Sequence, residues 1–161
     1  MTSWTVHLML VSLRLQDTPV GWSPAAFAVP FTVTYSQRDT GLPAIPDFSN
    51  LGPKWTNNWT SFITDHRATD RRVTLYKPNG GYDDYSFSTA TSTISSSGVY
   101  SDAVLTYTGS GFRLSWPDGS VDEYLQVIGS RYHLSARITP QVNTTSLQYD
   151  TLGRLEKIVD A

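Results

Sequence analysis

The sequence contains no cysteine among its 161 residues. Neither a disulfide-stapled scaffold nor a thiolate metal site is therefore available to this chain. An excess of charge of one sign is also missing, because 12 lysine and arginine residues stand against 14 aspartate and glutamate residues, for a formal net charge of −2. This near balance argues against nucleic acid or an anionic membrane as the main partner.

Long hydrophobic runs are absent as well. The longest apolar tract covers residues 6–15 and is interrupted by a histidine, a serine and an arginine. It is too short to cross a bilayer as a helix, which takes about 20 apolar residues. It also lacks the positively charged start and the small-residue cleavage site of a signal peptide. We interpret residues 5–15 as a buried β-strand that the Asp17-Thr18-Pro19 segment ends.

The residues that are abundant favour β-structure. Nine tyrosines and five tryptophans favour strands, while 11 glycines and nine prolines are spread as turn residues. We predict an all-β fold, an antiparallel meander of β-hairpins. Residues 1–70 hold N-terminal strands and an aromatic-rich segment, and residues 71–161 hold the meander, as one continuous structural unit. Beyond residue 30, the predicted strands are 31–35, 73–76, 82–87, 103–107, 112–116, 121–128 and 132–135, with loops at 38–53 and 88–98.

An internal repeat lies inside the meander. Residues 75–85 align without gaps on residues 114–124, with identical leucine, proline, glycine, first aspartate and tyrosine. Each unit reads as a strand, a Pro-Asx-Gly turn and a return strand, and such repetition is typical of arrays whose members bury their faces against neighbours. Because glycine tolerates positive φ, we expect Gly80 and Gly119 to take equivalent left-handed positions.

A further turn is predicted in the segment YDTLGRL, residues 149–155. It stands between strand-like runs at residues 144–149 and 154–159. The Asp150 side chain can accept a hydrogen bond from the backbone two residues on, and Gly153 can take positive φ at no steric cost. The pattern predicts a β-hairpin with the four-residue connection 150–153.

These segments resemble the Tyr-Asp (YD) repeat proteins, also called rearrangement-hotspot (RHS) proteins. Residues 149–155 are similar to the repeat itself, Y-D-x-x-G-R-L, and the two Pro-Asx-Gly hairpins resemble those that precede the repeats in RHS shells. Residues 15–19 and 31–38 resemble the family's DTP and YxQR strands, and residues 48–59 resemble its LGxxWxxNW segment. The similar segments follow the family's order and cover most of the chain.

The resemblance implies a structural role without catalysis. RHS shells are long spiralling β-sheets that close into a cocoon, and in bacterial relatives the cocoon encloses a C-terminal toxin or effector domain. This chain would be the opening strip of such a shell, paired with the remainder of it, in a full-length protein that is secreted or exported to the cell surface.

The sequence departs from the family pattern in two places. The segment before the repeat usually resembles I-T-D-P-x-G-N, whereas residues 138–143 read Ile-Thr-Pro-Gln-Val-Asn and lack both the Asp and the Gly. The first departure puts the geometry of that turn in question. There is also a single YD unit, from which we expect a fragment of a longer shell, with an unpaired edge at its last strand and a tendency to self-associate.

Side chains suited to chemistry do not form a recognisable catalytic pattern. His66 lies near Asp65 and Asp70, a set suited to hold a metal ion only weakly, since structural zinc sites need three or four ligands in tetrahedral geometry. Paired acids occur at residues 83–84 and 122–123, but adjacent strand residues point to opposite faces, so neither pair supplies the facing carboxylates of a glycosidase. We interpret both pairs as charge at strand edges, which makes a β-rich glycosidase the least favoured function.

Trp55 and Trp59 leave one alternative open. Closely spaced tryptophans most often fill a core, which is the interpretation we favour. Exposed together, they would instead form a platform on which sugar rings stack. The alternative to a shell segment is therefore a secreted β-sheet carbohydrate-binding module that uses tryptophan and tyrosine side chains. On either interpretation we expect no catalytic, cofactor-binding or metal-binding residues, no cofactor and no nucleic-acid partner.

Overall fold

The computed structural model describes residues 2–7, 12–22, 29–38, 51–97 and 102–160. This part of the chain forms 16 strands and one four-residue helix, α1 (Arg67–Asp70), which confirms the all-β antiparallel meander. No helix among these residues is long and apolar enough to cross a membrane. The strands are β1 (Ser3–His7), β2 (Ser12–Trp22), β3 (Val29–Ser36), β4 (Trp55–Asn57), β5 (Phe62–His66), β6 (Arg72–Tyr76), β7 (Tyr82–Ser86), β8 (Ile94–Ser97), β9 (Val104–Tyr107), β10 (Phe112–Ser115), β11 (Val121–Tyr124), β12 (Gln126–Ile128), β13 (Arg131–His133), β14 (Ala136–Ile138), β15 (Thr144–Tyr149) and β16 (Leu155–Val159).

The first four strands form a sheet in chain order, β1-β2-β3-β4. The prediction of one buried strand over residues 5–15 is wrong, because this tract belongs to two strands that pair with each other and because Thr5 and Val6 are exposed. The pairing sets Trp4 opposite Leu15 and Val6 opposite Leu13, and such cross-strand apolar pairs stabilise a hairpin. Residues 8–11, between the two strands, lie outside the described residues.

The DTP segment does not end β2 as predicted. The strand continues to Trp22, and its pairing with β3 shifts register between Asp17 and Val20. A β-bulge of this kind accommodates Pro19, which has no backbone N–H to donate to the ladder. Beside the bulge, the hydroxyl oxygens of Thr18 and Thr32 lie 2.9 Å apart and join β2 to β3.

The remaining strands form two larger sheets. The five-stranded sheet has the order β12-β13-β5-β6-β7, and the seven-stranded sheet has the order β16-β15-β14-β11-β10-β9-β8. The predicted strand over residues 121–128 is therefore divided between the two sheets, with the break at Leu125. After this crossing, β13 pairs with β5, so strands far apart in the sequence lie side by side.

The five-stranded and seven-stranded sheets share one hydrophobic core. Each contributes alternate strand residues, the pattern of a sheet with one buried face. The apolar faces of the two sheets therefore bury each other. The core includes Ile63, Val73, Leu75 and Tyr85 from the five-stranded sheet and Leu105, Phe112, Leu114, Tyr124 and Leu147 from the seven-stranded sheet.

The two predicted loops have different outcomes. Most of the loop at 38–53 lies outside the described residues, since the structure describes nothing between residues 39 and 50. The loop at 88–98 contains β8, which pairs with β9 at the edge of the seven-stranded sheet. The run of serine and threonine hid this strand, because Ile94 is its one apolar residue. The three-residue strands β4 and β14 were not predicted either.

Candidate functional site

The YD segment forms a hairpin, as its sequence predicts, but the backbone hydrogen bond between Asp150 and Arg154 closes a three-residue loop, 151–153, rather than the predicted four-residue connection 150–153. β15 and β16 pair antiparallel, with Tyr149 opposite Leu155. The backbone N–H of Asp150 donates to the carbonyl oxygen of Arg154 at 3.0 Å, and the N–H of Gly153 donates to the carbonyl oxygen of Asp150 at 3.0 Å. Gly153 has a φ of 81°, a left-handed conformation that glycine adopts without strain.

The Asp150 carboxylate organises this turn. Its Oδ1 accepts hydrogen bonds from the backbone N–H groups of Leu152 and Arg154, both at 2.9 Å, and its Oδ2 accepts one from Arg154 Nε at 2.6 Å. These bonds favour the ionised carboxylate and hold the pKa of Asp150 below its usual value, with the backbone N–H of Arg154 as the largest cause. The side chain is therefore committed to the shape of the turn.

Tyr149 fixes the hairpin to the rest of the molecule. Its hydroxyl donates to the carbonyl oxygen of Leu134 at 2.8 Å, and its ring centroid lies 5.0 Å from that of the His133 imidazole. Burial raises the pKa of Tyr149, so the hydroxyl stays a neutral donor at ordinary pH. Leu155 packs against the same core. Every defined letter of Y-D-x-x-G-R-L thus has a structural role in this chain.

The same pair of backbone hydrogen bonds closes four turns among the described residues, and the first turn differs from the others in that its third residue, Asn79, also has positive φ, at 65°. In each case the backbone N–H of the first residue donates to the carbonyl oxygen four residues later. The N–H of the fourth residue donates back to the carbonyl oxygen of the first. This is the pattern of a three-residue hairpin loop whose last residue is left-handed. The four turns begin at Lys77, Trp116, Thr139 and Asp150.

The fourth residue of each turn has positive φ. The angle is 102° at Gly80 and 88° at Gly119, which confirms the prediction that these glycines occupy equivalent left-handed positions. At Gly153 it is 81°, and at Val142 it is 67°. Val142 stands where the RHS segment has its glycine. The turn that the departure from I-T-D-P-x-G-N put in question therefore keeps the shared hydrogen bonds, with a β-branched residue in a glycine position.

The paired acids lie on opposite faces of their strands, as strand geometry requires. Asp83 and Asp122 are buried, whereas Asp84 and Glu123 are half-buried. The interpretation of both pairs as edge charge is wrong for the second pair, because β11 lies inside the seven-stranded sheet between β10 and β14. For the first pair, the interpretation agrees with the position of β7, which is an edge strand of the five-stranded sheet.

Asp122 forms an ion pair beside two tryptophans. Its Oδ1 accepts a hydrogen bond from Arg137 Nε at 2.8 Å, and its Oδ2 accepts one from Trp116 Nε1 at 3.2 Å. The guanidinium carbon of Arg137 lies 5.2 Å from the Trp59 ring centroid. Burial lowers the pKa of Arg137, but the attraction of the Asp122 carboxylate outweighs burial, and the pKa is raised overall. Both carboxylate oxygens are therefore occupied by donors of this chain.

The acids flanking His66 are paired with arginines. Arg67 Nη2 lies 2.8 Å from Asp65 Oδ2, and Arg72 Nη2 lies 3.2 Å from Asp70 Oδ2. Within the described residues, no three histidine, aspartate or glutamate side chains lie close enough together to hold a metal ion. The weak metal site considered for this segment is therefore not formed, because its carboxylates serve as partners for guanidinium groups.

Arg67 is a buried cation that the sequence did not reveal. Its guanidinium carbon lies 3.7 Å from the Tyr107 ring centroid and 5.2 Å from that of Phe112. Aromatic faces attract a desolvated cation, and the Asp65 carboxylate neutralises its charge. Nothing in the polar Asp-His-Arg segment itself indicates that its arginine is buried. Only the fold, which places β9 and β10 beside it, gives it this role.

Trp55 and Trp59 do not form a sugar-stacking platform. Trp59 is 5% exposed, and its Nε1 donates to the carbonyl oxygen of Pro30 at 2.9 Å. Trp55 is half-buried, with its ring centroid 5.4 Å from that of Tyr35. The interpretation of Trp59 as a core residue is confirmed.

Four of the aspartates that the sequence marked for chemistry are thus engaged within the chain. Asp65, Asp70, Asp83 and Asp122 each lie 3.2 Å or less from a lysine or arginine nitrogen. Comparison with known proteins supplies no further assignment, since no protein-family model and no curated protein matches this chain.

Proposed function

We propose that the chain is a non-catalytic structural segment of an RHS/YD-repeat shell, part of a β-wall that encloses a C-terminal toxin or effector domain. The observation that carries the proposal is that, among the described residues, one hydrogen-bond pattern with positive φ at the fourth residue closes four hairpin turns. Walls of this kind are built by adding one supersecondary unit to the next. The YD hairpin is one of the four, and its motif residues act in the turn and in its packing.

The edge of the seven-stranded sheet supports the same role. β16 pairs with β15 on one side and has no partner on the other among the described strands. Its last residue, Val159, is exposed. An unpaired edge offers backbone N–H and C=O groups to another strand. We assign this edge to the next hairpin of the shell, which makes the remainder of the shell and the enclosed domain the partners of this segment.

The buried charges also suit a wall better than an active site. Asp122 and Asp65 each contact an arginine of the same chain, and these pairs lie beside aromatic rings of the core. The carbohydrate-binding alternative loses its platform, because Trp59 is buried. The role that we propose needs no cofactor. It operates in a full-length protein that is secreted or carried to the cell surface.

Self-association of the purified chain tests whether the β16 edge accepts another strand. We expect sedimentation velocity to show association that increases with concentration, because an unpaired edge templates pairing between copies. Val159→Lys should reduce it, since charge on an edge strand opposes edge-to-edge pairing. Leu152→Lys adds the same charge in the exposed turn of the same hairpin and should leave association unchanged.

Two results would contradict the proposal. One is a monomer at every concentration in which hydrogen exchange protects residues 144–159 as strongly as residues 103–128. The other is coding DNA downstream of the Ala161 codon that contains neither further Y-D-x-x-G-R-L units nor a dissimilar C-terminal domain. Further units followed by such a domain would support it.

A further inference from the structure

A cationic groove lies between the four-stranded sheet and the turn of the β6–β7 hairpin. Its volume is about 410 Å³, and its charged lining residues are Arg14, Arg38 and Lys77. The two walls are joined by hydrogen bonds, since Thr34 Oγ1 donates to Asn79 Oδ1 at 3.2 Å and the Asn79 N–H donates to the Asn57 carbonyl oxygen at 3.1 Å. The groove therefore has fixed sides.

Two of the three cations in this groove have no carboxylate partner. Lys77 Nζ lies 3.0 Å from Asp83 Oδ1, so its charge is balanced. Arg14 and Arg38 are exposed, and no described carboxylate forms an ion pair with either of them. On a chain with a net charge of −2, this is a local excess of positive charge. Guanidinium groups bind carboxylates and phosphates through paired N–H donors.

A second groove adjoins the first through Tyr82. This outer-face groove, about 350 Å³, lies on the face of the five-stranded sheet that is turned away from the core, and Tyr82 lines both grooves. The Tyr82 side chain is 52% exposed. Polar groups follow along the outer-face groove, where Thr74 Oγ1 donates to Asp84 Oδ1 at 2.6 Å and Arg72 Nη1 lies 3.3 Å from Asp84 Oδ2.

We infer that the two grooves together bind an acidic oligosaccharide. The carboxylate of a uronic acid unit lies between Arg14 and Arg38, a sugar ring packs on the exposed face of Tyr82, and the hydroxyls of the next unit meet Thr74 and Asp84. Tyrosine combines an apolar ring with a polar tip, which suits the mixed surface of a sugar. The site stands whether or not the chain is part of a shell.

The charge distribution favours this ligand over nucleic acid. A nucleic-acid strand places a phosphate at every unit and needs a continuous basic surface. Here the unpaired positive charge ends at Tyr82, because Arg72, which lines the outer-face groove, is paired with Asp84. The Asp84 carboxylate repels phosphate but accepts hydrogen bonds from sugar hydroxyls. A simple anion site is also a poorer fit, because it gives Tyr82 and the outer-face groove no part in binding.

Isothermal titration calorimetry with trigalacturonic acid tests the inference, with neutral galactotriose and inorganic phosphate as comparison ligands. We expect trigalacturonic acid to bind at least about tenfold more tightly than galactotriose, since the latter lacks the carboxylates. The double variant Arg14→Gln/Arg38→Gln should remove this difference. Tyr82→Ala should weaken both sugars. Thermal unfolding of each variant checks that the fold is retained.

Arg113→Gln is the matched control for loss of an exposed arginine. Arg113 lies on β10, pairs with Glu123 and lines neither groove, so trigalacturonic acid should bind this variant like the unchanged chain. Three results would overturn the inference: no binding of trigalacturonic acid at about 1 mM, phosphate binding of equal strength that Tyr82→Ala leaves unchanged, or duplex DNA binding tighter than that of the acidic sugar.

Discussion

Arg137 and Asp122 form an ion pair in which the two side chains are buried to different degrees. The Arg137 Nε lies 2.8 Å from Asp122 Oδ1, and the arginine side chain is 32% exposed while that of the aspartate is 4% exposed. The consequence is an asymmetry in the cost of breaking the pair. Without Asp122, the guanidinium still reaches water. Without Arg137, the carboxylate stays buried, with Trp116 Nε1 as its remaining side-chain donor.

We therefore expect Arg137→Met to lower the free energy of unfolding by about 3 kcal/mol, the range found when one partner of a buried pair is removed. Arg113→Met is the matched control, because Arg113 also pairs with an acid of β11, Glu123, but is 49% exposed. Exposed pairs contribute about 0–1 kcal/mol, so this variant should change little. Urea unfolding at constant m measures both. Equal losses for the two variants would contradict the inference that burial of the Asp122 carboxylate sets the cost of losing its arginine.

Val142 should be replaceable with a gain in stability. Its φ is 67°, a conformation that is costly for a β-branched residue, and its side chain is 78% exposed, so little packing is lost on substitution. Val142→Asn should stabilise the chain by about 1 kcal/mol, because asparagine tolerates the left-handed region. Val142→Gly should gain less, since glycine adds about 0.4–1 kcal/mol of conformational entropy to the unfolded chain.

The control for loss of β-propensity is the same substitution at an exposed valine whose φ is not positive. Val127 is 52% exposed on β12 and has ordinary φ, so Val127→Asn should be neutral or destabilising. Thermal unfolding of the four chains, including the unchanged one, gives the order. A loss of stability in Val142→Asn as large as that in Val127→Asn would show that the strain is absent.

The hairpins could be predicted from the sequence because their causes are local. Gly80, Gly119 and Gly153 mark three of the four repeated turns, and strand alternation on either side sets the pairing. The turn at Val142 carries no such glycine, so its geometry could not be read from residue type. The crossing at Leu125 was equally hidden, since residues 121–128 contain no glycine or proline to mark a break, and the division accompanies the pairing of β13 with the distant strand β5.

The candidate site was less predictable than the fold. Burial of Arg67 and Arg137 depends on aromatic rings that other strands bring to them. The meeting of Arg14 and Arg38 with Tyr82 depends on how the first sheet lies against the β6–β7 turn. Such arrangements are set by tertiary contacts between residues distant in the sequence, and no local pattern of residue types records them.

Among the glycines with ordinary φ in the described part of the chain, Gly111 should be the least replaceable. A Cβ there would lie 2.3 Å from the Tyr124 carbonyl oxygen and 3.1 Å from Leu125 Cα, both backbone atoms. Because backbone cannot rotate away, β10 and β11 would have to separate, and Gly111→Ala should cost about 2–3 kcal/mol. At Gly52 the nearest atom, Trp55 Cδ1, is 3.9 Å away, so Gly52→Ala should be within about 0.5 kcal/mol of the unchanged chain. Similar unfolding midpoints for the two variants would contradict the close approach.

The Asp150 turn should weaken in acid. Hydrogen bonds from Arg154 hold the pKa of Asp150 in the folded chain below the ordinary value of an aspartate, which is about 3.9. A carboxyl group whose pKa is lower in the folded chain than in the unfolded chain stabilises the folded state at pH values above the unfolded pKa. That contribution is lost as the pH falls from about 4 through the lower, folded value. Stability from this residue is therefore present at neutral pH and is lost progressively as the pH falls below about 4.

Asp150→Asn separates this effect from general acid unfolding. Asparagine keeps an acceptor oxygen for the N–H groups of Leu152 and Arg154 but does not titrate. We expect the variant to be less stable than the unchanged chain at neutral pH and to lose less stability between about pH 4 and about pH 2. Asp118→Asn is the matched case in another of the four turns, where hydrogen bonds from Ser120 lower the pKa of Asp118. Hydrogen exchange locates each effect: Asp150→Asn should change the pH dependence of the β15–β16 amides, and Asp118→Asn that of the β10–β11 amides. Parallel pH curves for Asp150→Asn and the unchanged chain would mean that the Asp150 carboxylate does not hold the turn through its charge.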